Sequence, residues 1–105
     1  MTEKRIFSRI AFTEEVEITI EGDSSQPGNL VNISRGGCFV QTDPVPGFGS
    51  RVTLYINLPG IPERCEIPCI VRWVKENEGS GLQFEHLRPI EVWALNRLLR
   101  SNDKD

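Results

Sequence analysis

The chain has 105 residues, 38% of them hydrophobic, enough for one compact core, so a single domain over 1–105 is expected. Its net charge of -3 argues against a protein that grips DNA or RNA through a basic surface, but leaves room for a local site that takes a small anion. No apolar run reaches the ~18 residues of a membrane span, and the opening Met-Thr-Glu-Lys-Arg lacks the apolar stretch of a signal peptide, so the expected address is the cytoplasm with no membrane contact.

Residues 1–9 read as a short charged arm, mobile on its own because Ile6 and Phe7 are its only apolar anchors. Val16 to Glu21 alternates strictly, which predicts a half-buried strand with Val16, Ile18 and Ile20 inward. Gly22-Asp23-Ser24-Ser25 and Pro27-Gly28 read as turns. A second strand is expected over Asn29–Ile33, then a glycine break, then a third over Cys38–Thr42. Asp43 to Ser50, with two prolines and two glycines, is loop. Arg51–Leu58 alternates again. Glu63–Lys75 is the longest strand expected, with Cys65, Ile67, Cys69, Val71 and Trp73 on one inward face, and Pro68 implying an edge or a bulge. Ser80–Phe84 makes a sixth strand. From Pro89 to Arg100 the period turns helical, with Val92, Leu95, Leu98 and Leu99 as the apolar positions along with Trp93. The fold class is therefore all-β with one C-terminal helix: a closed or nearly closed antiparallel barrel over 10–86 and a helix over 89–100.

Cys38, Cys65 and Cys69 are an odd set without tight ligand spacing, and the single His86 lies in another segment. They read as small core hydrophobes, with no metal site and no disulfide framework. Nothing resembles a catalytic set: there is no G-x-S-x-G, no P-loop and no nucleophile–base pair, so an enzyme is not expected. A barrel for single-stranded nucleic acid would need a basic groove with exposed aromatics, whereas the five phenylalanines read as mostly inward.

Two segments carry chemistry. Lys4-Arg5-Ile6-Phe7-Ser8-Arg9 gathers three cations without an acid. Asn32-Ile33-Ser34-Arg35-Gly36-Gly37 sets an amide and a hydroxyl at alternate positions of a strand, followed by glycines that let a ligand approach the backbone. Together, Arg5-x-x-x-Arg9 and Asn32-x-Ser34-x-x-Gly37 resemble the paired signature R-x-x-x-R and [D/N]-x-S-x-x-G of PilZ domains, with Asn32 the variant allowed at its place. Gly36-Gly37-Cys38-Phe39-Val40, Val71-Arg72-Trp73 and Gly79-Ser80-Gly81-Leu82-Gln83-Phe84 are similar to later strands of that family.

The resemblance implies a six-stranded barrel that binds the bacterial second messenger cyclic di-GMP on its outer wall and needs no cofactor. Arg5, Arg9, Asn32, Ser34 and Gly37 are then the ligand-binding residues, with Lys4, Arg35, Gly36 and Trp73 as secondary candidates. The chemistry agrees. An Arg fork matches the O6 and N7 acceptors of guanine, and the Asn32 amide oxygen suits the donors on its other edge. Lys4 precedes the motif where many members carry Arg, and that position bears on whether one ligand or a stacked pair binds. Trp73 is read as a core residue first and a base-stacking residue second. A receptor without output of its own acts on a protein partner, of a motility, exopolysaccharide or pilus system. The competing reading is a PilZ-like adaptor that ignores nucleotide. Members that act so have lost the arginines this sequence keeps.

Overall fold

The structure, a computed structural model, describes residues 9–102. In chain order its elements are β1 (Ile10–Ile20), β2 (Ser25–Ile33), β3 (Gly37–Gln41), β4 (Arg51–Ile56), β5 (Cys65–Lys75), β6 (Gly79–Phe84) and α1 (Pro89–Asn102). The strands form a closed antiparallel barrel in the order β1-β2-β3-β6-β5-β4, with β1 pairing back onto β4. The expected all-β barrel with one C-terminal helix is what forms. Residues 1–8, which hold Arg5, Lys4 and most of the charged arm, lie outside the described residues.

Alternation in the sequence becomes two-facedness in the wall. Val16 and Ile18 of β1, Val52, Leu54 and Ile56 of β4, and Cys65, Ile67, Cys69 and Val71 of β5 all point inward and are buried. The three cysteines are free and buried there. The core continues into α1, whose Ala94, Leu95 and Leu98 join the same cluster. Each fully buried Leu or Ile contributes about 1.5–3 kcal/mol relative to exposure.

The helix starts at a capping box of unusual composition. Glu91 accepts from the backbone N–H of Arg88 at 2.8 Å, and its other oxygen accepts from the Arg88 guanidinium at 2.9 and 2.8 Å. A buried carboxylate thus gains charge-assisted partners and satisfies an orphan donor of the first turn. Pro89 takes the first helical position, where no N–H is needed. The buried stripe runs through Glu91, Ala94, Leu95, Leu98 and Leu99, which leaves Val92 and Trp93 on the solvent side, contrary to the apolar face expected from sequence. Trp93 instead lies over the Gly60 turn, with Arg97 stacked on its ring at 5.0 Å.

Several strand expectations are also corrected. β1 begins at Ile10, six residues before the strict alternation, because a register shift between Ala11 and Glu14 breaks the pattern without ending the pairing. Pro27-Gly28 is strand rather than turn. Gly28 pairs with Val16, and a Cβ there would crowd Val40 and Thr42. Pro27 is tolerated because β2 is paired over that stretch with β1 alone. Pro68 marks neither an edge nor a bulge. β5 is flanked by β4 and β6, and the Pro68 carbonyl accepts from Glu85 just beyond the end of β6, where no ladder N–H is required of it. Among the phenylalanines, Phe84 is in the core, Phe39 packs on the outer wall and Phe48 stands in solvent.

Candidate functional site

The first motif meets the second because β1 runs antiparallel to β2. Ile10 pairs with Ile33 and Ala11 with Asn32, so Arg9, immediately before β1, arrives beside the end of β2. There its guanidinium donates to Asn32 Oδ1 at 3.0 Å. The amide oxygen keeps a second lone pair for another donor.

Ser34 is placed differently from expectation. The register shift between Leu30 and Asn32 puts both Leu30 and Ile33 inward, and the strand ends at Ile33. Ser34 therefore opens a tight turn instead of continuing the alternation with Asn32. Its N–H donates to the Gly37 carbonyl at 2.7 Å. Its Oγ accepts from the N–H groups of Gly36 and Gly37, both at 3.2 Å, and donates to the Gly37 carbonyl at 3.3 Å. The hydroxyl is buried and organises the turn that joins β2 to β3.

Gly37 is held by packing. A Cβ there would overlap the Leu82 carbonyl oxygen and lie 3.1 Å from its carbon, so the bare backbone is what lets β6 pair closely with β3. Gly36 is half-buried, and its carbonyl accepts from Phe84. Arg35 is exposed at the apex of the turn and does not line the pocket described next.

The pocket, about 420 Å³, lies on the outer wall across β3, β6 and β5. That is within the roughly 300–1,000 Å³ usual for small-molecule sites. One side is Arg9 with Ser34, Gly36 and Gly37; the other is Arg72 and Trp73, with Gly81 and Gln83 between. Among the described residues no carboxylate lines it. Trp73 is corrected from core residue to surface plate. The bulge between Val71 and Trp73 shifts the phase of β5, so the ring turns outward, 45% exposed, over Gly81, and stacks on buried Phe39 at 5.1 Å and 19°. The structure thus gathers Arg9, Asn32, Ser34, Gly36, Gly37 and Trp73. The motifs do not contain Arg72 and Gln83. Alternation from Val71 marks Arg72 as outward, but nothing in the sequence announces the bulge that keeps Trp73 beside it.

A larger cleft of about 660 Å³ lies elsewhere, between the middle of β1 and β2, Tyr55 of β4 and Arg64. Its chemistry is opposite. Glu15, Glu17 and Asp43 line it, and Arg64 is already paired with Glu17 at 3.1 Å. An anion would be repelled there, so volume alone does not pick the site. Below the smaller pocket, burial pushes the Cys38 thiol up to about 12 despite the nearby Arg9 charge, and burial raises Cys69 as well. Both are inert, protonated groups at neutral pH. Among the described residues no group of three His, Cys, Asp or Glu side chains is placed to hold a metal ion, and no helix is long and apolar enough to cross a membrane.

Comparison with known proteins adds to this geometry. The fold is similar to that of the Bacillus subtilis inhibitor of motility (MotI/DgrA), with a TM-score of 0.78 and 22% identity over 99% of this chain and 55% of that one. The present chain therefore spans little more than half of that structure. It is also similar to the PilZ domain of CeSA from a cellulose-synthesizing bacterium, with a TM-score of 0.67 and 18% identity over 92% of this chain and 99% of that one. A third similar structure is the PilZ domain with c-di-GMP of YcgR from Escherichia coli, with a TM-score of 0.69 and 14% identity over 94% of this chain and 91% of that one. No curated protein matches the chain significantly. The family described as PilZ domain matches residues 3–101, nearly the whole chain. Its members are generally cyclic di-GMP receptors and adaptors rather than enzymes. The closed barrel, the two motifs meeting at Arg9 and Asn32, and this match make the chain a member of the PilZ domain family.

Proposed function

We propose that this protein is a cytoplasmic receptor for cyclic di-GMP with no catalytic activity, and that it binds the dinucleotide in the pocket between Arg9 and Trp73. One observation carries the reading: in a chain of net charge -3, Arg9 with its bonded partner Asn32, Ser34 and Gly37, the described residues of the family's paired motif, meet at a pocket that no described carboxylate lines and that an exposed tryptophan faces. Cyclic di-GMP needs cationic forks for guanine O6/N7 and phosphate, an acceptor for the guanine N–H donors and an aromatic plate for a base. Arg9, the free lone pair of Asn32 and Trp73 supply these in turn. Ser34 and Gly37 contribute by shaping the turn and setting the β3–β6 spacing. Arg5, Lys4 and the rest of the arm would close over the bound dianion, whose charge offsets the repulsion among the arm's cations. The ligand and the ordered arm then form one surface for a protein partner of a motility, exopolysaccharide or pilus system; members of the family interact with partners such as motility proteins.

Calorimetric titration tests the reading. Saturable binding of cyclic di-GMP is expected, far tighter than that of GMP or linear pGpG, and Arg9→Ala should weaken it by about 1–3 kcal/mol. Absence of binding would leave the nucleotide-independent adaptor as the function.

A further inference from the structure

The bulge in β5 gives the pocket a second cation that the family's paired motif does not contain. In a regular strand, outward side chains come every second residue. Here Val71 pairs with Leu82 and Trp73 with Gly81, so Arg72 is the extra residue of the bulge. As a result two successive side chains, Arg72 and Trp73, are exposed on the outer wall and line the same pocket as Arg9.

Arg72 forms no hydrogen bond or ion pair with any other described residue. Two Arg residues elsewhere in the fold show what such a side chain does when an acid is within reach. Arg64 pairs with Glu17, and Arg88 with Glu91. At this pocket no described residue supplies an acid. Arg9 approaches from the β1–β2 side and is fixed by Asn32, whereas Arg72 approaches from β5 and is uncommitted.

Resting on the reading of this pocket as the cyclic di-GMP site, we infer that Arg72 is a ligand-binding residue that holds a phosphate of the dinucleotide from the β5 side, opposite Arg9. A base stacked on Trp73 carries its sugar and phosphate to the rim of the indole, where the adjoining residue is Arg72. The two arginines then flank the diester ring from opposite walls, each with its own charge-assisted contact. Affinity is shared between the motif and a residue placed by the bulge.

The test is titration with cyclic di-GMP of the wild type, Arg9→Ala, Arg72→Ala and Arg72→Lys, at low and high salt, with melting curves for each. Arg72→Ala should weaken binding roughly 10- to 100-fold, the range for a hydrogen bond to a charged group. It should also flatten the salt dependence, since one salt-screened charge–charge contact is lost. Its melting temperature should match the wild type. Arg72→Lys should recover most of the affinity, because a phosphate accepts a point charge. If the wild type and Arg72→Ala bind within twofold of each other while Arg9→Ala fails, the role of Arg72 is refuted and the receptor reading stands. If Lys is as poor as Ala, the contact is to a guanine edge and the phosphate assignment is overturned. If the wild type binds no cyclic di-GMP, both readings fall together.

Discussion

Replacing Ser34 by alanine separates two roles that a hydroxyl in a binding motif can have. The Oγ accepts two hydrogen bonds at 3.2 Å from Gly36 and Gly37 and returns one to the Gly37 carbonyl at 3.3 Å. Gly37 is buried, so its N–H cannot turn to bulk water when the hydroxyl is removed. Leaving one such donor unsatisfied costs about 1–3 kcal/mol. The Ser34 N–H to Gly37 carbonyl bond, at 2.7 Å, survives the substitution and keeps the loss from being larger. For a domain of this size each kcal/mol moves the melting temperature by about 4–8 °C, so a drop of roughly 5–20 °C is expected. Thermal unfolding followed by circular dichroism reads the first effect, and calorimetry well below the melting point reads the second. Ligand affinity should fall as a consequence of the loosened turn. An Ser34→Ala protein that melts with the wild type yet no longer binds would refute this reasoning and make the hydroxyl a direct ligand group.

Other outcomes follow from the same geometry. Gly37→Ala forces a methyl into the Leu82 carbonyl and should destabilise the barrel by at least about 1–3 kcal/mol, the usual cost of overpacking; denaturation indistinguishable from wild type would count against the β3–β6 packing described. Glu21 has φ 50° ahead of Gly22 at 85°, with Asp23 donating to the Ile20 carbonyl, the pattern of a type I′ turn. Glu21→Asn should therefore raise stability by up to about 1 kcal/mol in a urea titration, and a loss would contradict the turn assignment. The buried thiols set a pH dependence. Cys38 is raised to about 12 in the folded protein, so its contribution is fully present below the ordinary thiol value of about 8.5 and is lost as pH rises from there towards 12. Unfolding midpoints measured from pH 7 to 11 should fall above pH 8.5, and Cys38→Ala should lessen the slope.

The parts of the fold legible in the sequence are those where alternation is unbroken. Val16-Glu17-Ile18, Val52 through Ile56 and Cys65 through Val71 name their inward residues by period alone, and the structure buries them. Legibility fails at bulges, because one inserted residue reverses every face beyond it and leaves no mark in composition. The shift after Leu30 turns the apparent Asn32/Ser34 pair into an outward amide and a turn-forming hydroxyl. The bulge at Arg72 turns Trp73 from core to plate. At Gly28 the same ambiguity has another source. Pro-Gly is strong turn chemistry, but here the glycine is required by the approach of Val40 and Thr42 within a continuous strand. In α1 the buried stripe is shifted by a capping carboxylate, Glu91, which hydropathy counts as polar. Arg9, Ser34 and Gly37, which line one side of the pocket, are named by motif spacing alone. The second wall depended on three-dimensional phase that periodicity does not encode.

Backbone and indole chemical shifts during a titration of the labelled protein report directly where cyclic di-GMP sits. The expected result is saturable movement of Arg9, Asn32, Ser34 to Cys38, Arg72, the Trp73 indole and Gly81 to Gln83, which are Arg9's bonded partner and the residues around the pocket. The resonances of Glu15, Glu17 and Asn57 in the acidic cleft should stay in place. A spectrum unchanged at saturating ligand, or shifts gathered at that cleft instead, would contradict the placement of the site.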